Sequence, residues 1–251
     1  MGLKSKKDVI ELKIKEMKLR DSKAKIYDSL IPEYQHYIEI ATIIKKLDPK
    51  PGEIILDLGC GTGRIAYEII KRGSKVIALD FSVESLKICK SRCEKLDHKY
   101  NIHIIRGDAC NIPLKKNTFD KCISSQVLQH IPSKDERLKM IQEVYRVLKP
   151  RGKFVLTTYN LSLRKIIGNK KETPEDAILY SYRYSLPELK QMVSKAFNKD
   201  LKIVGILNLI HWLPIRLLNK YKEKFAFIDF YIERTPISYL MAHLLVAECR
   251  K

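Results

Sequence analysis

The chain has 251 residues, room for one α/β domain with additions, and its 45% share of apolar residues is ordinary for a globular core. The net charge of +19 suggests a polyanionic partner, but the excess is spread, with +5, +7 and +7 on residues 1–25, 26–159 and 160–251, and lysine outnumbers arginine 35 to 13. No run of eighteen apolar residues occurs, which argues against a membrane-spanning helix, and the charged stretch 1–20 lacks the apolar centre of a secretory leader, so the expected location is cytoplasmic.

Residues 4–25 read as a charged helix, and 26–47 as a second helical region broken at Pro32, with Tyr27, Tyr34 and Tyr37 near helical spacing. The turn cluster Asp48-Pro49-Lys50-Pro51-Gly52 ends it. An alternation of strands and helices follows. Strands are expected at 54–58, 75–79, 102–106, 119–124 and 153–158, and helices at 64–71, 83–96 and 135–148, with Ser82 as an N-cap. Such alternation implies a parallel sheet covered on both faces. The tail reads as a helix over 186–197, a strand over 201–207, a long aromatic insertion over 208–239 and a last strand within 240–249.

The densest signal is Ile55-Leu56-Asp57-Leu58-Gly59-Cys60-Gly61-Thr62-Gly63. A strand runs into a glycine-rich turn and then a helix start, where bare backbone and unpaired N–H groups can approach a ligand. Asp57 stands two residues before the first glycine, where a carboxylate repels phosphate and attracts an ammonium. Asp80, at the end of the next apolar run, can accept from both hydroxyls of a ribose. The six cysteines show no metal-ligand pairing and read as small buried side chains, so no metal is expected. The cluster Tyr180-Ser181-Tyr182-Arg183-Tyr184 reads either as a wall of a substrate pocket or as a platform for unpaired bases.

This string resembles motif I of the class I S-adenosylmethionine (AdoMet)-dependent methyltransferases. Three later segments resemble further motifs of the family: Asp80-Phe81-Ser82, Arg106-Gly107-Asp108-Ala109, and Phe119 to Ile131 with Ser125, Gln126, Gln129 and His130. The resemblance covers residues 50–160. It implies a doubly wound, Rossmann-like sheet of seven mostly parallel strands with an antiparallel last strand, a helical N-terminal cap (1–49), and a C-terminal part (161–251) whose lid insertions lie at about 161–184 and 208–239. It implies AdoMet as cofactor, held by Asp57, Gly59, Cys60, Gly61, Thr62, Gly63, Asp80, Phe81, Asp108, Ala109, Ser125 and Gln126. Asp108 would accept from the adenine amino group, and the strand end at Ser125 and Gln126 would hold the methionine moiety. His130 is the candidate general base, because imidazole ordinarily titrates near neutral pH. Tyr27, Tyr159, Tyr182 and Trp212 are candidate acceptor contacts. Arg151 departs from the family's usual pair of glycines before the fifth strand.

The implied activity is methyl transfer to a small or lipid-like acceptor. A transfer-RNA wobble-uridine methyltransferase and a non-catalytic AdoMet-binding partner subunit are the alternatives. RNA is therefore a second candidate partner. The apolar run 206–218, followed by Lys220, Lys222 and Lys224, makes a membrane surface a third. The insertion is expected to lie over the methyl-bearing end of the cofactor.

Overall fold

The computed structural model describes residues 6–96, 101–163, 171–173, 179–197 and 199–251. The expectations for 1–5, 97–100, 164–170, 174–178 and 198 lie outside them. The strands are β1 (Ile54–Leu58), β2 (Lys75–Asp80), β3 (Ile102–Arg106), β4 (Phe119–Ser125), β5 (Leu148–Tyr159), β6 (Lys199–Ile206) and β7 (Leu244–Arg250). The helices are α1 (Lys6–Lys23), α2 (Glu33–Leu47), α3 (Arg64–Ile70), α4 (Val83–Cys93), α5 (Lys134–Val147), α6 (Leu186–Ser194), α7 (Ile215–Lys220), α8 (Lys222–Ile232) and α9 (Ser238–Met241).

The sheet order is β3-β2-β1-β4-β5-β7-β6. β7 runs antiparallel to both of its neighbours, and the β1–β2, β1–β4, β2–β3 and β4–β5 pairs are parallel. The order reverses between β1 and β4, which leaves a crevice outside their carboxyl ends. Register carries Asp57 level with Ala78 on β2 and Ile123 on β4, so Gly59, Asp80 and Ser125 emerge at the same edge.

Two apolar clusters cover the two faces. One joins Phe119, Phe154, Leu156 and Ala247 to Met140, Val144, Leu189 and Phe197. The other joins Ile55, Val76 and Val155 to Ile38, Ile43, Ile69, Leu86 and Ala226. Ser82 caps α4 by accepting from the Ser85 N–H at 3.2 Å. Ser185 opens α6, where Glu188 accepts from its N–H at 3.1 Å, a capping box followed by Pro187.

β5 starts at Leu148, earlier than its apolar run suggests, because Leu148 already pairs with Phe119. Arg151, in place of the family's glycine, takes a left-handed backbone at φ +65°. The insertion 208–239 is not an irregular loop. It forms α7, α8 and α9, anchored to α2 where the Tyr34 hydroxyl donates to Asp229 Oδ2 at 2.6 Å and Asn219 Oδ1 accepts the Tyr34 N–H at 3.0 Å.

Candidate functional site

The turn after β1 takes left-handed conformations at Gly59, Gly61 and Gly63, with φ of +74°, +53° and +80°. The three positions differ in what surrounds them. A Cβ on Gly59 would lie 2.1 Å from Val127 Cγ2, and one on Gly63 would lie 2.5 Å from Cys89 Sγ. A Cβ on Gly61 would meet nothing within 4 Å. Gly59 and Gly63 thus let protein pack on the turn, whereas Gly61 borders open space.

That space is a cleft of about 650 Å³ lined by Gly59, Gly61, Asp80, Phe81, Ala109, Ser125, Gln126 and His130, among others. Asp80 is 7% exposed in its floor. Its Oδ2 accepts the Gly61 N–H and its Oδ1 the Ser82 N–H, both at 2.9 Å. Asp80 also borders the cleft, where a carboxylate can accept from ribose hydroxyls. Burial raises the Asp80 carboxyl above its ordinary range, against the Ser82, Gly61 and Phe81 N–H groups and the Arg20 charge, which lower it.

The other motif residues fall at and behind the wall. Asp57 lies behind the glycine turn rather than on the cleft surface, 1% exposed, with its Oδ2 lacking a hydrogen-bond partner. Burial, reinforced by the charge of Asp80, pushes it up to about 7, while the Ala66 N–H and Arg64 pull the other way. Cys60 and Thr62 are both buried, and the Thr62 hydroxyl donates to Asp28 Oδ1 at 2.7 Å. Asp108 is half exposed and bonded to Lys13 of α1 at 2.8 Å. Burial would raise it, but the Lys13 ammonium and the Cys110 N–H bring it below the usual carboxylate range. Lys13 also reaches Glu136 at 2.5 Å, so it stands where Asp108, Cys110 and Glu136 converge.

Gln126 takes φ +57°, a backbone state that costs about 1–2 kcal/mol outside glycine. The strain is held by its N–H on Thr157 Oγ1 at 3.0 Å and its side-chain amide on Glu39 Oε1 at 2.7 Å. Glu39 is fully buried and also accepts from Ser125 Oγ at 2.6 Å. Sequence reading missed Glu39. Its one signal is a charge between Ile38 and Ile40 on the apolar face of α2.

A second cavity of about 870 Å³ shares Arg20, Tyr27, Gln126 and His130 with the first, and extends to Leu19, Leu30, Ile31, Tyr159, Leu179 and His243. Tyr27 and Tyr159 both line this second cavity. Tyr182 does not: its ring lies 4.4 Å from the Arg137 guanidinium in a different hollow, between α5 and α6. Trp212 is 56% exposed and absent from both walls, because the anchoring of its insertion on α2 carries it to the outer surface. His243, bonded to His211 at 2.9 Å, lines the second cavity and was missed.

His130 Nδ1 lies 2.8 Å from the Tyr180 carbonyl oxygen. A carbonyl only accepts, so Nδ1 carries the proton and Nε2 the lone pair. Burial, then the Arg20 charge, pulls the imidazole down to about 3. The ordinary titration near pH 7 expected from sequence is corrected accordingly: His130 is neutral throughout the physiological range.

The cleft fits AdoMet. The space beyond Gly61 takes a ligand where any Cβ would intrude, the Asp80 acceptors face a ribose, and Phe81 and Ala109 give an apolar seat for a ring. Comparison with known proteins agrees. The profile of a family described as a methyltransferase domain matches residues 49–206. The demethylmenaquinone methyltransferase of Oceanobacillus iheyensis is 29% identical over 182 residues, 71% of each chain. That of Corynebacterium kroppenstedtii is 35% identical over 116 residues, 46% of each, so the second match spans about half of the relative's length. Phosphoethanolamine N-methyltransferase 2 of Haemonchus contortus, solved with AdoMet, superposes with a TM-score of 0.60 at 21% identity over 85% of this chain and 52% of that one. The chain belongs to the class I AdoMet-dependent methyltransferases.

Proposed function

We propose that the chain methylates a small aromatic, lipid-like acceptor of the kind represented by a reduced naphthoquinone with an apolar tail. The observation that carries this reading is the second cavity. It shares Arg20, Tyr27, Gln126 and His130 with the cofactor cleft, and its wall mixes tyrosines and imidazoles with Leu19, Leu30, Ile31 and Leu179, alongside Lys23 and Gln35. Tyr27 and Tyr159 offer aromatic contact to a ring, and Leu19, Leu30, Ile31 and Leu179 offer apolar contact to a tail. The demethylmenaquinone methyltransferases among its relatives act, by name, on an acceptor of this chemistry.

AdoMet supplies an electrophilic methyl group on a cationic sulfur. The chain's own part is to align the acceptor with it and exclude water, which can supply much of the acceleration. α1 closes the cleft from above with Glu16 and Arg20. His130 Nε2 accepts a hydrogen bond from an acceptor hydroxyl and so orients it, and an imidazole held near 3 is too weak a base to take that proton fully in the ground state. The test is incubation of the purified chain with AdoMet and a short-tailed demethylated naphthoquinol, with product mass read by chromatography. A product one methylene heavier supports the reading. AdoMet binding without product from any quinol tried removes it and leaves the family assignment standing.

A further inference from the structure

We propose that the outward face of α7, α8 and α9 docks on an anionic lipid bilayer. Nine large apolar or aromatic side chains between 212 and 240 are exposed, against seven among the other described residues. Phe227 is 76% exposed and Tyr231 69%. On α8, Lys224, Phe227, Ile228 and Tyr231 follow i, i+3, i+4, i+7 spacing and share one face. The opposite face holds the anchors, with Ala226 and Asp229 buried.

The charge of the patch fits the same partner. Arg216, Lys220, Lys224 and Arg234 are exposed. Of the acids in these helices and their connections, Asp229 is buried on Tyr34 and Asn208, and Glu233 turns to Lys46 at 3.6 Å. Glu223 is the exposed acid that remains. An apolar aromatic face bordered by cations is the composition of an interfacial helix on anionic lipid.

Position gives the docking a use. The α7–α8 junction lies against the start of α2, through Lys222 and Glu33 at 2.9 Å. Leu30, just before that start, is 57% exposed and lines the second cavity. A lipid-like acceptor could pass from the bilayer into the cavity beside it. The docking itself stands or falls independently of the acceptor.

Trp212 is the single tryptophan of the chain and is exposed at the start of this segment, just before α7, so its emission reports insertion of the segment. The experiment adds vesicles of phosphatidylcholine, with and without phosphatidylglycerol, to the full chain and reads Trp212 emission and co-sedimentation. A blue shift and sedimentation with the phosphatidylglycerol vesicles are expected. Phe227→Ser with Tyr231→Ser, and separately Lys220→Glu with Lys224→Glu, should each weaken binding about tenfold or more, while melting temperature and AdoMet binding stay unchanged. Absence of binding to either vesicle overturns the proposal. So does undiminished binding by the Phe227/Tyr231 variant, which would locate adhesion in basic charge elsewhere. Self-association in lipid-free buffer that the same variant abolishes would also overturn it, by making the face a contact between copies.

Discussion

Gly61 and Gly63 share a left-handed backbone, yet the space around them predicts opposite consequences of the same substitution. At Gly63 a methyl group runs into Cys89, so Gly63→Ala should destabilise the fold by about 1–3 kcal/mol through overpacking and lower the melting temperature. At Gly61 the methyl group enters the space assigned to the cofactor, so Gly61→Ala should keep most of the fold apart from about 1 kcal/mol of backbone strain and lose AdoMet binding at least tenfold by calorimetric titration. Equal behaviour of the two variants would contradict the cleft assignment. Asp57 yields a pH dependence. Its carboxyl is held near 7 in the folded chain against an ordinary 3.8. Between those values the folded state keeps a proton that the unfolded state has lost, so stability from this group is complete below pH 3.8 and lost as pH rises through 7. The melting temperature should fall from pH 5 to pH 8, and Asp57→Asn should flatten that fall. A variant with an unchanged slope would place the titration elsewhere.

Among the elements, α1 is the one whose role its sequence hides. It is charged throughout and few of its side chains are buried, yet Glu16 and Arg20 reach into the cleft and Lys13 ties it to Asp108 and Glu136. Lys13→Ala should cost only about 0.5–1 kcal/mol, since these partners are partly exposed and screened. It should speed amide exchange across α1 and shorten the residence time of AdoMet. Unchanged exchange in α1 would show that the helix is held by other contacts. The strands and helices from β1 to α5 were legible because period and turn chemistry agree there: Gly59 to Gly63 punctuate, Ser82 caps, Pro150 follows α5. The fate of the insertion was not legible. Its apolar richness suggested a lid, but the decisive contact is the long-range pair Tyr34–Asp229, 195 residues apart, which docks it on α2 instead. Tyr182 failed for a similar reason. Pocket-wall chemistry was visible, but the buried Arg137 that draws its ring away lies on another element.

For the molecule as a whole, two adjoining cavities and an exposed aromatic, basic face point to one task at one end of the sheet. The +19 charge would serve RNA equally well by magnitude alone. The wall of the second cavity carries Arg20 and Lys23 beside Leu19, Leu30, Ile31, Tyr27 and Tyr159, so it offers an acceptor apolar and aromatic contact together with two cations. Stacking of bases on exposed tyrosines is not the use made of 180–184. Tyr180 and Tyr184 are buried, and Tyr182 lies on Arg137. The most direct measurement incubates the purified chain with methyl-labelled AdoMet and a cell extract, then separates lipid, water-soluble small molecules, RNA and protein before counting. The account predicts label in the organic-soluble fraction, lost in Gly61→Ala. Label in RNA or protein, or organic-soluble label that survives in Gly61→Ala, would contradict it.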